Sequence, residues 1–138
     1  MRFDARVGPD RRGAWRGLVV VPYVRPDPAA LRSLRRFVGE VLDRWGIAKQ
    51  RDDAQLIASE LGTNATRHAG SPFRMTLTRG SKSITLAVRD ASVHQPQPRN
   101  PGHIDSGGRG LALVAKVADA WGTTSEPDGK TIWAELTL

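Results

Sequence analysis

The sequence predicts an α+β protein in which helices pack on one face of a mainly antiparallel sheet. Two segments, from Leu31 to Trp45 and from Ala54 to Ala65, repeat apolar residues at helical spacing. Two others, Phe73 to Arg79 and Ser83 to Arg89, alternate apolar and polar residues around Gly80-Ser81-Lys82, as the arms of a hairpin do. The whole element order, β-α-α-β-β-loop-α-β-β, mixes hairpins with helices and lacks the strict alternation of a parallel α/β fold.

The elements follow in order. Residues 1–14 are polar, basic and rich in Gly and Arg, and read as a flexible basic arm preceding one domain at 15–138. Gly17 to Val21 is β-branched and closed by Pro22, which reads as a short edge strand. Asp27-Pro28 is a helix start, with Asp27 as N-cap and Pro28 in the first turn. Leu31, Leu34, Phe37, Val38, Val41, Leu42 and Trp45 form its dry face, and Gly46 closes it in a left-handed conformation. A second helix starts near Asp52-Asp53, where carboxylates favour the positive end of the helix dipole, and ends at His68 or Ala69 before Gly70. After the hairpin, residues 92–108 hold Pro96, Pro98 and Pro101 with Gly102, Gly107 and Gly108, the composition of a long functional loop or lid. A helix from Arg109 to about Ala118 and two strands, Ala120 to Ser125 and Lys130 to Leu138, complete the chain.

Composition excludes several classes. At 138 residues and 39% hydrophobic content the chain suits one globular domain and not a disordered one. It has no cysteine, so disulfide scaffolds, thiolate metal sites and thiol nucleophiles are excluded. The longest aliphatic run near the start, Leu18 to Val21, is too short for a signal peptide or a membrane span, and a cytoplasmic protein is expected. Net charge is +7 and only four of the 21 cations are lysines. The arginines are scattered, with clusters only at Arg11/Arg12 and Arg35/Arg36, and one Tyr and three Phe offer little to stack on bases. Attraction to acidic partners or phosphates therefore fits better than direct nucleic-acid binding.

Three features carry chemistry. Glu60, Asn64 and His68 recur every fourth residue of the second helix and form one polar stripe beside its apolar face, either a solvated side or a ligand site. Asp90 ends its strand on the same parity as Ile84, Leu86 and Val88, and an acid facing the core is costly without a partner. Gly107-Gly108-Arg109-Gly110-Leu111 lies at a loop-to-helix junction, where glycines and free amides suit an anion, although a hinge explains a glycine run equally well.

On helix, strand end and loop-helix junction, these features resemble the GHKL ATPase superfamily with its Bergerat ATP-binding fold, and within it the small anti-sigma-factor serine kinases. The likeness rests most on Glu60-Leu61-Gly62-Thr63-Asn64-Ala65-Thr66-Arg67-His68-Ala69 and extends over roughly residues 27–138. It implies a two-layer sandwich on a mixed, mainly antiparallel sheet. It also implies that Asn64 helps hold a Mg²⁺ bridging ATP phosphates, and that Glu60 orients or deprotonates the attacking hydroxyl. Asp90 would accept a hydrogen bond from the adenine amino group. Gly108, Arg109, Gly110 and Leu111 would give backbone donors to the phosphates, under a lid at residues 92–107. Glu60 stands where sensor histidine kinases usually have Asn, which favours the serine-kinase branch.

The sequence departs from that family's pattern twice. Asp90-Ala91-Ser92-Val93-His94 lacks the glycine that usually follows the Asp. Near the end, Gly129-Lys130-Thr131 stands where Gly-Thr is common, and parity with Ile132, Ala134 and Leu136 puts Lys130, not Thr131, beside the adenine site unless the register shifts. His68 is read as capping or packing the helix end. The expected function is a Mg-ATP-dependent serine or threonine kinase acting on an anti-anti-sigma partner, with a non-catalytic ATP/ADP-binding module as the alternative. A sigma factor as second partner, a homodimer, and a contact surface on the first helix at Arg32, Arg35, Arg36 and Arg44 complete the expectations.

Overall fold

Antiparallel pairing organises the entire sheet. The structure is a computed structural model and describes residues 4–9, 15–91 and 106–138. Strands β1 (Asp4–Pro9), β2 (Trp15–Val24), β3 (Phe73–Arg79), β4 (Ser83–Asp90), β5 (Ala120–Glu126) and β6 (Gly129–Thr137) form one six-stranded sheet in the order β1-β2-β3-β4-β6-β5. Every pairing among the described residues is antiparallel, so no parallel pair makes the sheet mixed. Helices α1 (Pro28–Arg44), α2 (Arg51–Ala69) and α3 (Ser106–Val117) form the second layer of the α+β sandwich. Alternation sets the core: Val19 and Val21, Phe73, Met75 and Leu77, Ile84, Leu86 and Val88, and Ile132, Ala134 and Leu136 are all buried on the helix-facing side.

The helix ends follow from their capping residues. The Asp27 side chain accepts a 2.8 Å hydrogen bond from the Ala30 amide at the start of α1, and Pro28 occupies the first turn. At its far end Gly46 has φ +70°; its amide donates to the Asp43 carbonyl at 3.1 Å and the Ile47 amide donates to the Leu42 carbonyl at 3.0 Å. Those two bonds make a Schellman ending, with Leu42 and Ile47 buried together behind it. Helix α1 buries Leu34, Val38, Val41 and Leu42 and leaves Arg32, Arg35, Arg36 and Arg44 exposed. Helix α2 follows a short 3₁₀ turn, carries Asp52 and Asp53 in its first turn and stops at Gly70, φ +61°.

Three expectations are corrected. The arm is not loose throughout, because Asp4–Pro9 pairs with β2 through its backbone, and the backbone groups that make the pairing are common to every residue type. With β1 on one side and β3 on the other, β2 is an interior strand and runs on to Val24. Pro22 is accommodated because the β2–β3 register shifts between Val21 and Val24, where a missing amide hydrogen breaks no ladder bond. Helix α3 begins at Ser106, ahead of the expected Arg109. Gly107 and Gly108 then fall in the first turn, where amide groups have no intrahelical acceptor, and Gly110 lies just beyond it.

Candidate functional site

The apolar rows of β4 and β6 both terminate in a charge. Asp90 continues the row of Ile84, Leu86 and Val88, Lys130 continues that of Leu136, Ala134 and Ile132, and the ladder pairs Asp90 with Lys130. Asp90 is 4% exposed and Lys130 1%. The Lys130 Nζ stands 3.9 Å from Asp90 Oδ2 and makes no hydrogen bond among the described residues. The β4–β6 register is unbroken from Ser83 opposite Thr137 to this pair. Thr131 therefore sits half-buried across from Arg89 on the other face, and no shift brings it to Asp90.

Burial dominates the titration of Lys130. Desolvation of its ammonium lowers its pKa from the ordinary 10.5, and the charge of Asp90 only partly opposes this. Between the lowered value and 10.5 the unfolded chain holds the proton more tightly than the folded one, so stability rises with pH across that window. Urea unfolding over an alkaline pH series is expected to show this rise in the wild type, and Lys130→Met is expected to lack it. Equal slopes in the two proteins would contradict the assignment.

Two residues that the sequence reading missed deliver Lys130 to Asp90. A side chain at Gly129 would overlap the Asp90 carbonyl oxygen and lie 3.4 Å from the Ala91 Cα, so only glycine allows β6 to start this close to the end of β4. Arg89, on the opposite face, holds Glu126 at 2.5 Å and Asp128 at 3.0 Å and so ties the β5–β6 turn to β4. The glycine beside a strand start was a readable signal. The Arg89 contacts were not, since they span 37 and 39 residues and exist only once β4 and β6 are paired. Beyond Asp90 the sheet end opens into a cleft of about 240 Å³ bordered by Tyr23, Arg74, Asp90 and Ala91.

The helical layer contributes the other half. Asn64 on α2 is 1% exposed, and neither its Oδ1 nor its Nδ2 has a hydrogen-bond partner among the described residues. An orphaned buried amide is costly and calls for a ligand or a cation. One turn earlier, half-buried Glu60 turns toward α3: a Cβ on Gly110 would lie 2.7 Å from its Oε2. Glu60 thus rests on the glycine-bearing start of α3. Gly108 and Arg109 lie in the first turn of that helix. The Leu111 side chain is core, 1% exposed, and because the helix already starts at Ser106 the amides of Gly110 and Leu111 lie beyond its first turn and are engaged within the helix, which corrects their expected role as phosphate donors. His68 is exposed at the end of α2. The polar stripe is therefore no uniformly solvated side, since its middle member is buried. Of the expected lid at residues 92–107, residues 92–105 lie outside the described residues.

Among the described residues no group of three or more His, Asp and Glu could hold a metal unaided. The Asn64 amide oxygen, a hard donor without a partner, fits a Mg²⁺ that takes its remaining ligands from phosphates and water. No described helix is long and apolar enough to cross a membrane.

Glycine-opened α3 set against the polar edge of α2, above an antiparallel sheet that ends in a buried acid, is the architecture of a GHKL-type ATPase domain. A family model of the histidine kinase-like ATPase domain matches residues 24–136, and the chain belongs to that family. Domains of this family bind ATP. No curated protein is detectably similar to the chain in sequence.

Proposed function

We propose that the protein is a Mg-ATP-binding regulator of the anti-sigma type, which transfers the γ-phosphate of ATP to a serine or threonine of an anti-anti-sigma partner. The observation that carries this reading is the placement of Glu60: its carboxylate lies against Gly110 at the start of α3, one turn from the buried, unpartnered amide of Asn64. In this reading Asp90 accepts from the adenine amino group with Lys130 beside it, and the main-chain amides of Gly108 and Arg109 in the first turn of α3 hold phosphate oxygens. Asn64 gives one oxygen ligand to Mg²⁺, which when bound neutralises phosphate charge. Glu60 accepts the proton of the attacking hydroxyl. Phosphoryl transfer asks mainly for such positioning and neutralisation, so few reactive groups suffice. The exposed arginines of α1, Arg32, Arg35 and Arg36, offer a partner or a sigma factor a basic face.

The test is transfer of label from γ-labelled ATP to the cognate anti-anti-sigma protein with Mg²⁺ present. Label on a serine or threonine supports the kinase. ATP binding with no transfer to that partner leaves a non-catalytic nucleotide-controlled module.

A second expected result separates Glu60 from the fold. Gly110→Ala places a methyl group against the Glu60 carboxylate, which is the free end of a side chain and can swing away. Helix propensity gains up to about 1 kcal/mol from the exchange, so the melting temperature should stay near that of the wild type. Transfer is expected to fall at least about tenfold, the size of losing about 1.4 kcal/mol of transition-state stabilisation. Unchanged transfer in the folded variant would contradict the placement of Glu60 at the reaction.

A further inference from the structure

The Asp90–Lys130 pair bears on which base the site accepts. Lys130 is not a surface lysine that folds inward by chance. It sits at a ladder position directly opposite Asp90, is 1% exposed, and is brought there by a glycine that no larger residue could replace without displacing the Asp90 backbone. Its Nζ has no hydrogen-bond partner among the described residues and stands too far from Asp90 Oδ2, at 3.9 Å, to bond it. A buried ammonium or amine group in this state is a donor with no acceptor engaged.

A carboxylate alone reads one thing, a donor on the base edge. Adenine satisfies it through the amino group at C6. Guanine and hypoxanthine present a carbonyl oxygen at C6, and an oxygen facing a carboxylate is an acceptor against an acceptor. Such a mismatch in a buried site costs on the order of ten- to a hundredfold in affinity. A donor beside the carboxylate changes the rule. Adenine then gives its amino hydrogen to Asp90 and takes a hydrogen at ring nitrogen N1 from Lys130. A 6-oxopurine takes a hydrogen at O6 from Lys130 and gives its N1 hydrogen to Asp90. Both orders are open because the lysine donor is a compact group on a flexible four-carbon stem with rotatable hydrogens.

We infer that the Asp90–Lys130 pair makes this a dual-purine site, which binds 6-oxopurine nucleotides such as GTP and ITP as well as ATP. The inference rests on the nucleotide reading of Asp90 given above and assigns Lys130 as the residue that sets base selectivity.

The experiment is competition among the Mg²⁺ complexes of ATP, GTP, ITP and ribose 5′-triphosphate for the 138-residue chain, the base-free ribose triphosphate reporting binding through phosphates and sugar alone. GTP and ITP are expected within about tenfold of ATP and well above ribose 5′-triphosphate. ITP lacks the guanine 2-amino group, so its binding isolates the O6 and N1 edge and needs no variant. Lys130→Met, checked for folding by its thermal transition, is expected to raise the ATP-to-GTP preference by about ten- to a hundredfold. ATP binding with GTP and ITP no better than ribose 5′-triphosphate would overturn the inference while leaving the nucleotide reading intact. An unchanged ATP-to-GTP ratio in folded Lys130→Met would overturn the role of Lys130. Failure of all three nucleotides to bind would remove the nucleotide reading and this inference with it.

Discussion

Asn64→Leu is expected to make the nucleotide-free protein more stable and unable to respond to Mg-nucleotide. The Asn64 amide is 1% exposed and both of its polar atoms lack partners among the described residues. The amide as a whole forfeits its water without compensation, at about 1–3 kcal/mol. Leucine keeps the branching at Cγ and removes both polar atoms, so unfolding should require about 1–3 kcal/mol more. For a domain of this size that is a rise of about 3–5 °C per kcal/mol in melting temperature. Wild type at a ligand concentration a hundredfold above Kd gains about 2.7 kcal/mol from binding. The variant should gain nothing that depends on Mg²⁺, since the amide oxygen that would ligate it is gone. Thermal unfolding with and without Mg-ATP reads both effects at once. A variant that is less stable than wild type, or that keeps the Mg²⁺-dependent shift, would contradict the role given to Asn64.

Glu60→Gln should retain nucleotide and lose chemistry. The exchange keeps shape and the contact with Gly110 but leaves no carboxylate to take a proton. Loss of a positioned general base costs typically about 10²–10⁴-fold in rate. The effect should fall on turnover with ATP affinity little changed, the pattern of an interaction made only in the transition state. Single-turnover transfer and equilibrium binding, measured on one preparation, distinguish this from a binding defect. Turnover within a few-fold of wild type would remove Glu60 as the base.

What the sequence made legible was local. Asp27, Pro28, Gly46 and Gly70 act within a few residues of their own positions, and their helix ends lie where capping chemistry places them. Strand parity is equally local, which is why Asp90 and Lys130 could be assigned to the helix-facing side before any fold was known. Strand β1 was missed because its six residues lie in a segment rich in Gly and Arg, and its pairing is carried by backbone groups that leave no mark on residue type. Pro22 read as a strand end because a bulge that tolerates proline depends on the neighbouring strand, not on the residues around it. For the site, the residue types were readable but their meeting was not. Asp90 meets Lys130 through a β4–β6 ladder, and Glu60 meets Gly110 through the packing of α2 on α3. Local spacing sets neither.

The central claim is that Asn64, Asp90 and the start of α3 form one nucleotide site, and calorimetric titration of the 138-residue chain with ATP tests it most directly, run once with excess Mg²⁺ and once with a chelator. The account predicts saturable, stoichiometric binding that weakens when Mg²⁺ is removed and is lost in Asp90→Leu. No binding heat at millimolar ATP and Mg²⁺, or binding indifferent to both Mg²⁺ and Asp90, would contradict it.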